Sequence, residues 1–462
     1  MEKLAIDGGP KAFDRRTGRA EPKIGLEEFM SIAERFGFNA EALKRIRGAI
    51  RIEDLPEGGP TLSRYITANP PNTKGEAFEA LARQLFGVKY AAAVSSGTAA
   101  LHSAFVAVGV GPGTEVICPA LGFAATSMAV LMAGGVPVFC DVDESLHIDP
   151  TKIEALVTGR TVAIAPTHHW GCVCNMEPVL NVARKHHLKV VEDCAQGPGA
   201  QYRGKYVGTI GDVGCFSISA YKIIGGGEAG MIITNDQGLY ERALQCAESG
   251  GLWRPDRFAP PRYPGELFPG TNYRLSELES AVDVVQLSKL TDYVCRFRAV
   301  NRRILAQLNT FREIRPQTIN DPDGHIGYLI RFFPASFELA ARIAAALNAE
   351  GIGAGHRGKN HRPDWHLCRD MFPVVLKTSH VPGGSPFEDP RYLARGGRVE
   401  YREENWPVAV DLYAREVAIG LDQWYSEDDC DRIAAGINKV LCAYCTPDEN
   451  AKPWLCSSCR AK

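Results

Sequence analysis

The chain has 462 residues, of which 45% are hydrophobic and 23% are charged, with 52 Lys and Arg against 54 Asp and Glu. This composition is typical of a globular protein of roughly two to four domains, and a net charge of −2 excludes any general attraction to nucleic acid or to an anionic membrane. No segment reaches the roughly 18 apolar residues of a membrane span, and the N-terminal stretch lacks the apolar run of a signal peptide. We therefore expect a cytoplasmic protein whose partners are small molecules or other proteins.

The first half of the chain predicts an arm followed by an α/β domain. Leu4–Ile6 has a strand pattern, a helical pattern runs from Glu27 to Arg51, and a stretch rich in Pro and Gly completes the arm. From Thr73 onwards a predicted helix over residues 75–87 and the strand YAAAVS begin an alternation of helical patterns with the apolar runs TEVICPA, VPVFCDV, VAIAPT, LKVVEDC and GCFSIS. This order predicts a largely parallel sheet covered by helices on both faces.

The second half predicts a long loop, a long helix and a smaller domain. Residues 248–272 are rich in Gly, Pro and Arg, and helical periodicity then continues over residues 276–308. IGYLIRFFP predicts a strand, FELAARIAAALNAEG a helix, residues 355–405 an irregular stretch, and Glu427–Tyr444 a last helix. We therefore expect four segments, which are an arm (1–70), a large domain (71–300), a small α/β domain (301–440) and a Cys-rich tail (441–462).

Three features at predicted strand ends could act on one ligand. The segment Ser95-Ser96-Gly97-Thr98 stands between a strand and a helix, where it could bind a phosphate or simply cap the helix. Asp193 ends the strand LKVV, and Lys222 follows a buried strand and precedes a Gly-rich run, which makes it a candidate for Schiff-base chemistry. Surface positions are the alternative for both residues. Together, a phosphate anchor, an acid and a lysine are the parts that pyridoxal phosphate needs.

Five ordered segments between residues 95 and 282 carry a resemblance to a known family. They are SSGTAALHSAF, EVICPALGFAATSMAVLMAGGVPVFCDVD, PTHHWG, VVEDCAQGPGAQYRGKYVGTIGDVGCFSISAYKIIGGGEAGMIITND and GTNYRLSELESAV. On these segments the sequence resembles the DegT/DnrJ/StrS family of sugar aminotransferases, within the fold-type I pyridoxal-phosphate enzymes. The resemblance covers residues 70–300 well and 300–440 loosely. It implies a large domain with a mostly parallel seven-stranded sheet between helices, and a smaller α/β C-terminal domain.

The resemblance also implies roles for single residues. Lys222 matches the Schiff-base lysine, which also serves as general base and acid, and Asp193 matches the acid that pairs with the pyridine nitrogen. The other implied cofactor ligands are Gly97, Thr98 and Ser217 at the phosphate, Phe123 stacked on the ring, Gln196 near the ring hydroxyl, and Asn272 from the neighbouring subunit. Because Asn272 would complete the partner's site, the resemblance implies a homodimer with shared active sites.

Departures from the family pattern concern the substrate. Pro198 stands where many members have a histidine facing the sugar, which disfavours a typical nucleotide-linked 4-keto sugar. The opening LAIDGGPKA resembles members that act on cyclitols or amino-shikimate-type rings, and HRGKNHRPDWHL falls where some relatives carry a loop near the substrate. His361, Trp365 and His366 are therefore candidate substrate residues, and a solvated charged loop is the alternative.

The tail contains two C-x-x-C pairs, separated by ten residues. Two such pairs can supply the four thiolates of a tetrahedral zinc site. The alternative is a tail of free or redox-active thiols. The predicted zinc ligands are Cys442, Cys445, Cys456 and Cys459.

The sequence thus predicts a pyridoxal-phosphate aminotransferase of polysaccharide or natural-product biosynthesis. It would move an amino group from glutamate or glutamine to a keto or aldehyde group of a sugar, sugar acid or cyclitol. One alternative is a dehydratase or lyase of the same fold that uses pyridoxal or pyridoxamine phosphate, but such family members replace the lysine by histidine. The other is a non-catalytic scaffold with a zinc-binding tail, which the joint presence of Lys222, Asp193, Ser217 and Asn272 disfavours.

Overall fold

A computed structural model of the chain describes residues 3–13, 24–56, 59–62, 73–360, 362–380, 382–384 and 386–455. The chain divides into two units, Met1–Pro71 and Asn72–Lys462. None of the described helices is long and apolar enough to cross a membrane. The boundary predicted at residue 300 falls inside a helix of the second unit, so the division into a large and a small domain stays a prediction.

The first unit differs from its predicted elements at two places. Ala5–Asp7 forms a single 3-10 turn instead of a strand, because the carbonyl of Leu4 accepts hydrogen bonds from the backbone and Gly8 adopts a positive φ of 89°. The single helix predicted from Glu27 to Arg51 is two helices, α1 (Leu26–Arg35) and α2 (Ala40–Ala49). Gly37 has a φ of 82°, which interrupts the helix, and Asn39 starts the second one by accepting a bond from the N–H of Ala42.

The second unit contains a seven-stranded sheet and a small hairpin. The strands are β1 (Tyr90–Val94), β2 (Glu115–Pro119), β3 (Val136–Cys140), β4 (Thr161–Ile164), β5 (Lys189–Asp193), β6 (Gln201–Tyr202), β7 (Lys205–Tyr206), β8 (Val213–Ser217) and β9 (Gly230–Thr234). The sheet has the order β1-β9-β8-β5-β4-β2-β3, and β6 and β7 form the hairpin. Among the seven described strands of this sheet, β9 runs antiparallel to both of its neighbours, β1 and β8, and the other six strands run in one direction. The predicted mostly parallel sheet is confirmed.

Helices cover both faces of this sheet. They are α3 (Lys74–Phe86), α4 (Gly97–Ala107), α5 (Ala125–Met132), α6 (Pro150–Ile153), α7 (Met176–Lys185), α8 (Gln237–Ala247), α9 (Glu277–Ser288) and α10 (Leu290–Leu305). Successive side chains of a strand point to opposite faces, so Ala92 and Val94 pack in one buried cluster, whereas Ala91 and Ala93 pack in the other. The apolar runs are therefore short strands that are buried on both faces.

The helix predicted over residues 276–308 is interrupted at Lys289, between α9 and α10. The hydroxyl of Ser288 donates to the carbonyl of Val285 at 2.7 Å, and the N–H of Lys289 bonds to the carbonyl of Gln286, three residues earlier. Such local bonds tighten and bend a helix. The two helices that replace it still span most of the predicted range.

A four-stranded antiparallel sheet follows, in the order β10-β11-β13-β12. Its strands are β10 (Ile314–Pro316), β11 (Leu329–Pro334), β12 (Ala354–His356) and β13 (Val417–Gly420). The accompanying helices are α11 (Phe337–Ala349), α12 (Phe372–Val375), α13 (Pro390–Ala394), α14 (Pro407–Arg415) and α15 (Glu427–Tyr444). The predicted strand before α11, the helix α11 and the last helix are confirmed, and residues 355–405 contain only short elements.

Candidate active site

A cavity of about 860 Å³ lies at the carboxyl ends of β1, β5 and β8. The carboxyl ends of parallel strands meet at one edge of a sheet, which is where α/β proteins bind their ligands. The structure brings together most of the predicted cofactor residues there, namely Gly97, Thr98, Phe123, Asp193, Gln196, Ser217 and Lys222.

The N-terminus of α4 forms one end of the cavity. Ser96 caps the helix, and its hydroxyl accepts a hydrogen bond from the N–H of Ala99 at 3.1 Å. A Cβ atom on Gly97 would lie 2.7 Å from the Cβ of Ser217, so only glycine lets the helix start approach the end of β8 this closely. Free backbone N–H groups, the positive helix end and the Ser217 hydroxyl therefore lie together, as an anion site requires.

The two adjacent carboxylates of β5 have different surroundings. Asp193 lines the cavity, where it accepts bonds from the Thr126 hydroxyl at 2.5 Å and from the N–H of Ala195 at 3.0 Å. Glu192 is fully buried and points away from the cavity, since strand side chains alternate. Its oxygens accept hydrogen bonds from His168 and from the backbone N–H groups of the turn between β7 and β8, at Gly208, Ile210 and Gly211. Asp193 is thus available for ligand chemistry, whereas Glu192 organises the backbone.

Replacing Glu192 by glutamine should destabilise the fold. The amide nitrogen would face N–H groups at one of the two oxygen positions, and a buried donor left without an acceptor costs about 1–3 kcal/mol. We expect a clearly lower midpoint of urea unfolding, followed by circular dichroism. Glu177→Gln is the control, since Glu177 is half exposed on α7 and pairs with surface Arg203. Equal midpoints for the two variants would contradict the structural role of Glu192.

Lys222 lies in a tight turn after β8. Its N–H donates to the carbonyl of Ser219, and the Gly225 backbone passes so close to Ser219 that a Cβ would lie 2.1 Å from that carbonyl oxygen. Burial lowers the pKa of the Lys222 amine below its ordinary value of 10.5, although Asp193 acts in the opposite direction. A larger neutral fraction makes the amine a better nucleophile towards a carbonyl.

The second half of the chain supplies another wall of the cavity. The N–H groups of Gly122 and Ala124 donate to the carbonyls of His366 and Trp365, so these two distant segments run side by side. The His366 ring consequently lies 5.3 Å from the ring of Phe123, which is 47% exposed. Trp365 is also largely exposed but does not line the cavity, and the predicted substrate residue His361 lies outside the described residues.

Three functional residues were not predicted from the sequence, namely Thr126, Trp170 and Tyr328. Trp170 and Tyr328 line the cavity, and Thr126 reaches it only through Asp193. Trp170 belongs to the segment PTHHWG, which carried part of the resemblance, so a signal for it existed. Thr126 and Tyr328 became recognisable only from their contacts.

Comparison with known proteins agrees with this geometry. The sequence profile of the DegT/DnrJ/EryC1/StrS aminotransferase family matches residues 68–357. The chain belongs to this family. The predicted resemblance is confirmed, and the fold is that of the fold-type I pyridoxal-phosphate aminotransferases.

The chain is similar to enzymes that are named for different activities. GDP-perosamine synthase of Caulobacter vibrioides is 43% identical over 220 residues, which are 47% of this chain and 57% of that protein. L-glutamine:2-deoxy-scyllo-inosose aminotransferase of Streptomyces fradiae is 40% identical over 240 residues, 51% of this chain and 56% of that protein. The chain thus spans little more than half of each. The solved structure of NtdA from Bacillus subtilis, with bound cofactor PMP, has a TM-score of 0.62 and 25% identity, and covers 80% of this chain and 78% of its own.

Asn272, the family position expected to act on a neighbouring subunit, does not line the cavity of its own chain. Its side chain is exposed, and its oxygen accepts a bond from the N–H of Arg274 at 3.3 Å. This position is compatible with a role across a subunit interface, which stays a prediction.

The zinc site predicted in the tail also stays a prediction. Cys442 is exposed and Cys445 is buried beside the end of α15, whereas Cys456 and Cys459 lie outside the described residues. Within the described ranges, the group of three or more potential metal ligands that lie close enough together to hold one ion is His168, Glu192 and Cys194. Because Glu192 is already saturated by backbone N–H groups, that cluster is better explained as buried structural hydrogen bonding.

Proposed function

We propose that the protein is a pyridoxal-phosphate-dependent aminotransferase. It moves an amino group from glutamate or glutamine to a keto or aldehyde group of a sugar, sugar acid or cyclitol, in polysaccharide or natural-product biosynthesis. The observation that carries the proposal is the convergence of Lys222, Asp193 and the start of α4 on one cavity. Membership of an aminotransferase family supports it.

The residues of the cavity fit pyridoxal phosphate in their chemistry. The N-terminus of α4, with Gly97 and Thr98, and the Ser217 hydroxyl would hold the phosphate, because they offer donors at a positive helix end. Phe123 and Gln196 would bound the ring. When bound, the cofactor supplies a carbonyl that forms a bond to an amine and a ring that accepts electrons.

Two ionisable side chains would carry the proton chemistry. Asp193 would hold a proton on the ring nitrogen, since its carboxylate is fixed by Thr126 and the N–H of Ala195. The Lys222 amine would hold the cofactor covalently and, once displaced by the incoming amine, would take up and return a proton at Nζ. Both side chains line one cavity, which is what this exchange requires.

The finer assignments rest on the family pattern. Asn272 would reach the phosphate in a second copy of the chain, so we propose a homodimer with shared sites. His361, Trp365 and His366 are proposed substrate residues, and of these His366 has the support of lining the cavity. The named relatives include a cyclitol aminotransferase. Pro198, which stands where many family members have a histidine facing the sugar, lines the cavity, where it would face the substrate. The cytoplasmic location remains a prediction from the sequence.

The visible absorbance of the purified protein tests the proposal. After loading with pyridoxal phosphate, we expect a yellow protein whose colour is lost when glutamate or glutamine is added, because the first half-reaction moves the amino group to the cofactor. A keto sugar or keto cyclitol should then restore the colour. A protein that cannot be loaded, or whose colour neither amino acid changes, would contradict the proposed function.

A further inference from the structure

A carboxylate and a histidine form a pair at the wall of the cavity. Nδ1 of His366 lies 2.6 Å from Oδ1 of Asp364, and the backbone N–H of His366 donates to the same oxygen at 2.9 Å. His366 lines the cavity, whereas Asp364 lies behind it. The carboxylate thus fixes one ring nitrogen and leaves the other, Nε2, on the cavity side.

Asp364 is itself held firmly. The Tyr413 hydroxyl donates to its Oδ2 at 3.1 Å, and Arg357 forms an ion pair with the same oxygen. Burial would raise the pKa of Asp364, but the hydrogen bonds from the ring and backbone of His366 and the charge of Arg357 hold it well below its ordinary value. Asp364 is therefore ionised and can accept a hydrogen bond from the Nδ1–H of His366.

Gln196 decides which nitrogen of the ring carries the proton. The side-chain oxygen of Gln196 accepts a hydrogen bond from the N–H of Trp170 at 3.1 Å. The amide NH2 of Gln196 therefore points towards His366, and its Nε2 lies 3.4 Å from Nε2 of the histidine. Two N–H donors do not face each other, so Nε2 of a neutral His366 holds a lone pair, which an incoming ammonium group would take over from the long 3.4 Å contact with Gln196. The proton is then on Nδ1, where Asp364 accepts it.

Other charged and titratable groups also face this ring. They include Arg357 beyond Asp364, Glu416 at the start of β13, and His169, whose ring lies 5.6 Å away. Burial lowers the pKa of His169 well below its ordinary value, which keeps that neighbour neutral. Glu416 lies within an ion pair with Arg331 at 3.1 Å. A positive charge arising on His366 would therefore be stabilised mainly by Asp364.

We propose that Nε2 of His366 accepts a proton from the ammonium group of the amino-acid donor, and that Asp364 positions the ring for this step. An amino acid enters with its nitrogen protonated, and that nitrogen needs a lone pair to attack a carbonyl. The N–H bond of the ammonium breaks, its electron pair stays on nitrogen, and the proton forms a new bond to Nε2. The proposal rests on the proposed aminotransferase function.

Imidazole suits this task better than the other bases of the cavity. Among the described lining residues, the other ionisable groups include the carboxylates of Asp193 and Glu228 and the amine of Lys222, which would be bonded to the cofactor at this step. An imidazole is ordinarily a stronger base than a carboxylate. Asp193 is in addition the carboxylate that would hold the proton on the ring nitrogen of the cofactor.

The tautomer can be measured without cofactor or substrate. The ¹⁵N NMR spectrum of histidine-labelled apoprotein should contain the signals of a neutral imidazole ring with its proton on Nδ1. These signals should be absent from the spectrum of His366→Asn, which assigns them to His366. In Asp364→Asn, the amide oxygen would take the Oδ2 position, because Arg357 and Tyr413 need an acceptor there. The amide nitrogen would then face Nδ1 of His366, and the ring proton should move to Nε2. A wild-type His366 with its proton on Nε2 would overturn the proposal.

Rates of the glutamate half-reaction supply the second readout. A general base contributes about 10²–10⁴-fold, so we expect His366→Asn to react about 10²-fold more slowly and Asp364→Asn at least about tenfold more slowly. The double variant should be no slower than His366→Asn, since both act through Nε2. Glu403→Gln, on an exposed carboxylate paired with Arg369, is the control.

The outcomes separate this proposal from the proposed function. A wild-type protein that reacts with glutamate or glutamine while His366→Asn stays within about threefold of it would overturn only the role of His366. A wild-type protein that reacts with neither amino acid would overturn both. Slow variants that still load with pyridoxal phosphate, together with the Nδ1 tautomer, would support the proposal.

Discussion

Replacing Lys222 by alanine is expected to abolish amino transfer, with turnover below detection, while the protein remains folded. Lys222 lies at the cavity with a pKa lowered by burial, and no other lysine lines the cavity among the residues described. Without its amine there is neither a covalent anchor nor a proton carrier at that point. The measurement is the absorbance change on adding glutamate, combined with product analysis after an acceptor is supplied.

Lys205→Ala is the matched control, because Lys205 is exposed on the small hairpin. The lowered pKa of Lys222 also predicts the pH dependence of cofactor attachment. Only the neutral amine attacks a carbonyl, so attachment should become faster as pH rises and reach its plateau below pH 10.5, the ordinary lysine value. A Lys222→Ala protein that still turns over, or a plateau above that pH, would contradict the assignment.

Asp193→Asn is expected to slow amino transfer by about 10²-fold to about 4 × 10³-fold. Removing one partner of a buried charge pair costs about 3–5 kcal/mol, and each 1.4 kcal/mol is a factor of ten. Asparagine has nearly the same shape, so the cavity should remain intact. The measurement is the single-turnover rate with glutamate, together with the affinity for pyridoxal phosphate.

Thr126→Val is the companion variant for Asp193. It removes the hydroxyl that donates to the carboxylate at 2.5 Å but leaves the charge, so we expect a loss of only about tenfold. If Asp193→Asn reacted as fast as the wild type, the carboxylate would have no role at the ring nitrogen. If Thr126→Val were the slower of the two, the hydroxyl rather than the charge would dominate.

Most strands of the central sheet could be predicted because each is a short apolar run with breakers on both sides. Strand β9 was not predicted, since GMIIT follows the Gly-rich turn directly, and its antiparallel direction depends on pairing with β1 and β8. The break at Lys289 was not predictable either, because the periodicity of apolar residues continues through it. Local pattern thus predicted where elements lie better than where they stop.

The family, the α/β alternation and the positions of Asp193 and Lys222 after buried strands could be predicted before the structure was known. The tertiary structure was needed to show that Glu192 points away from the cavity and organises the backbone, and that His366 lies against Phe123. This difference follows from the distance along the chain between the residues that interact. Strand and helix patterns depend on neighbours a few residues apart, whereas a cavity wall depends on segments that are distant in the chain and meet only after the sheets have formed.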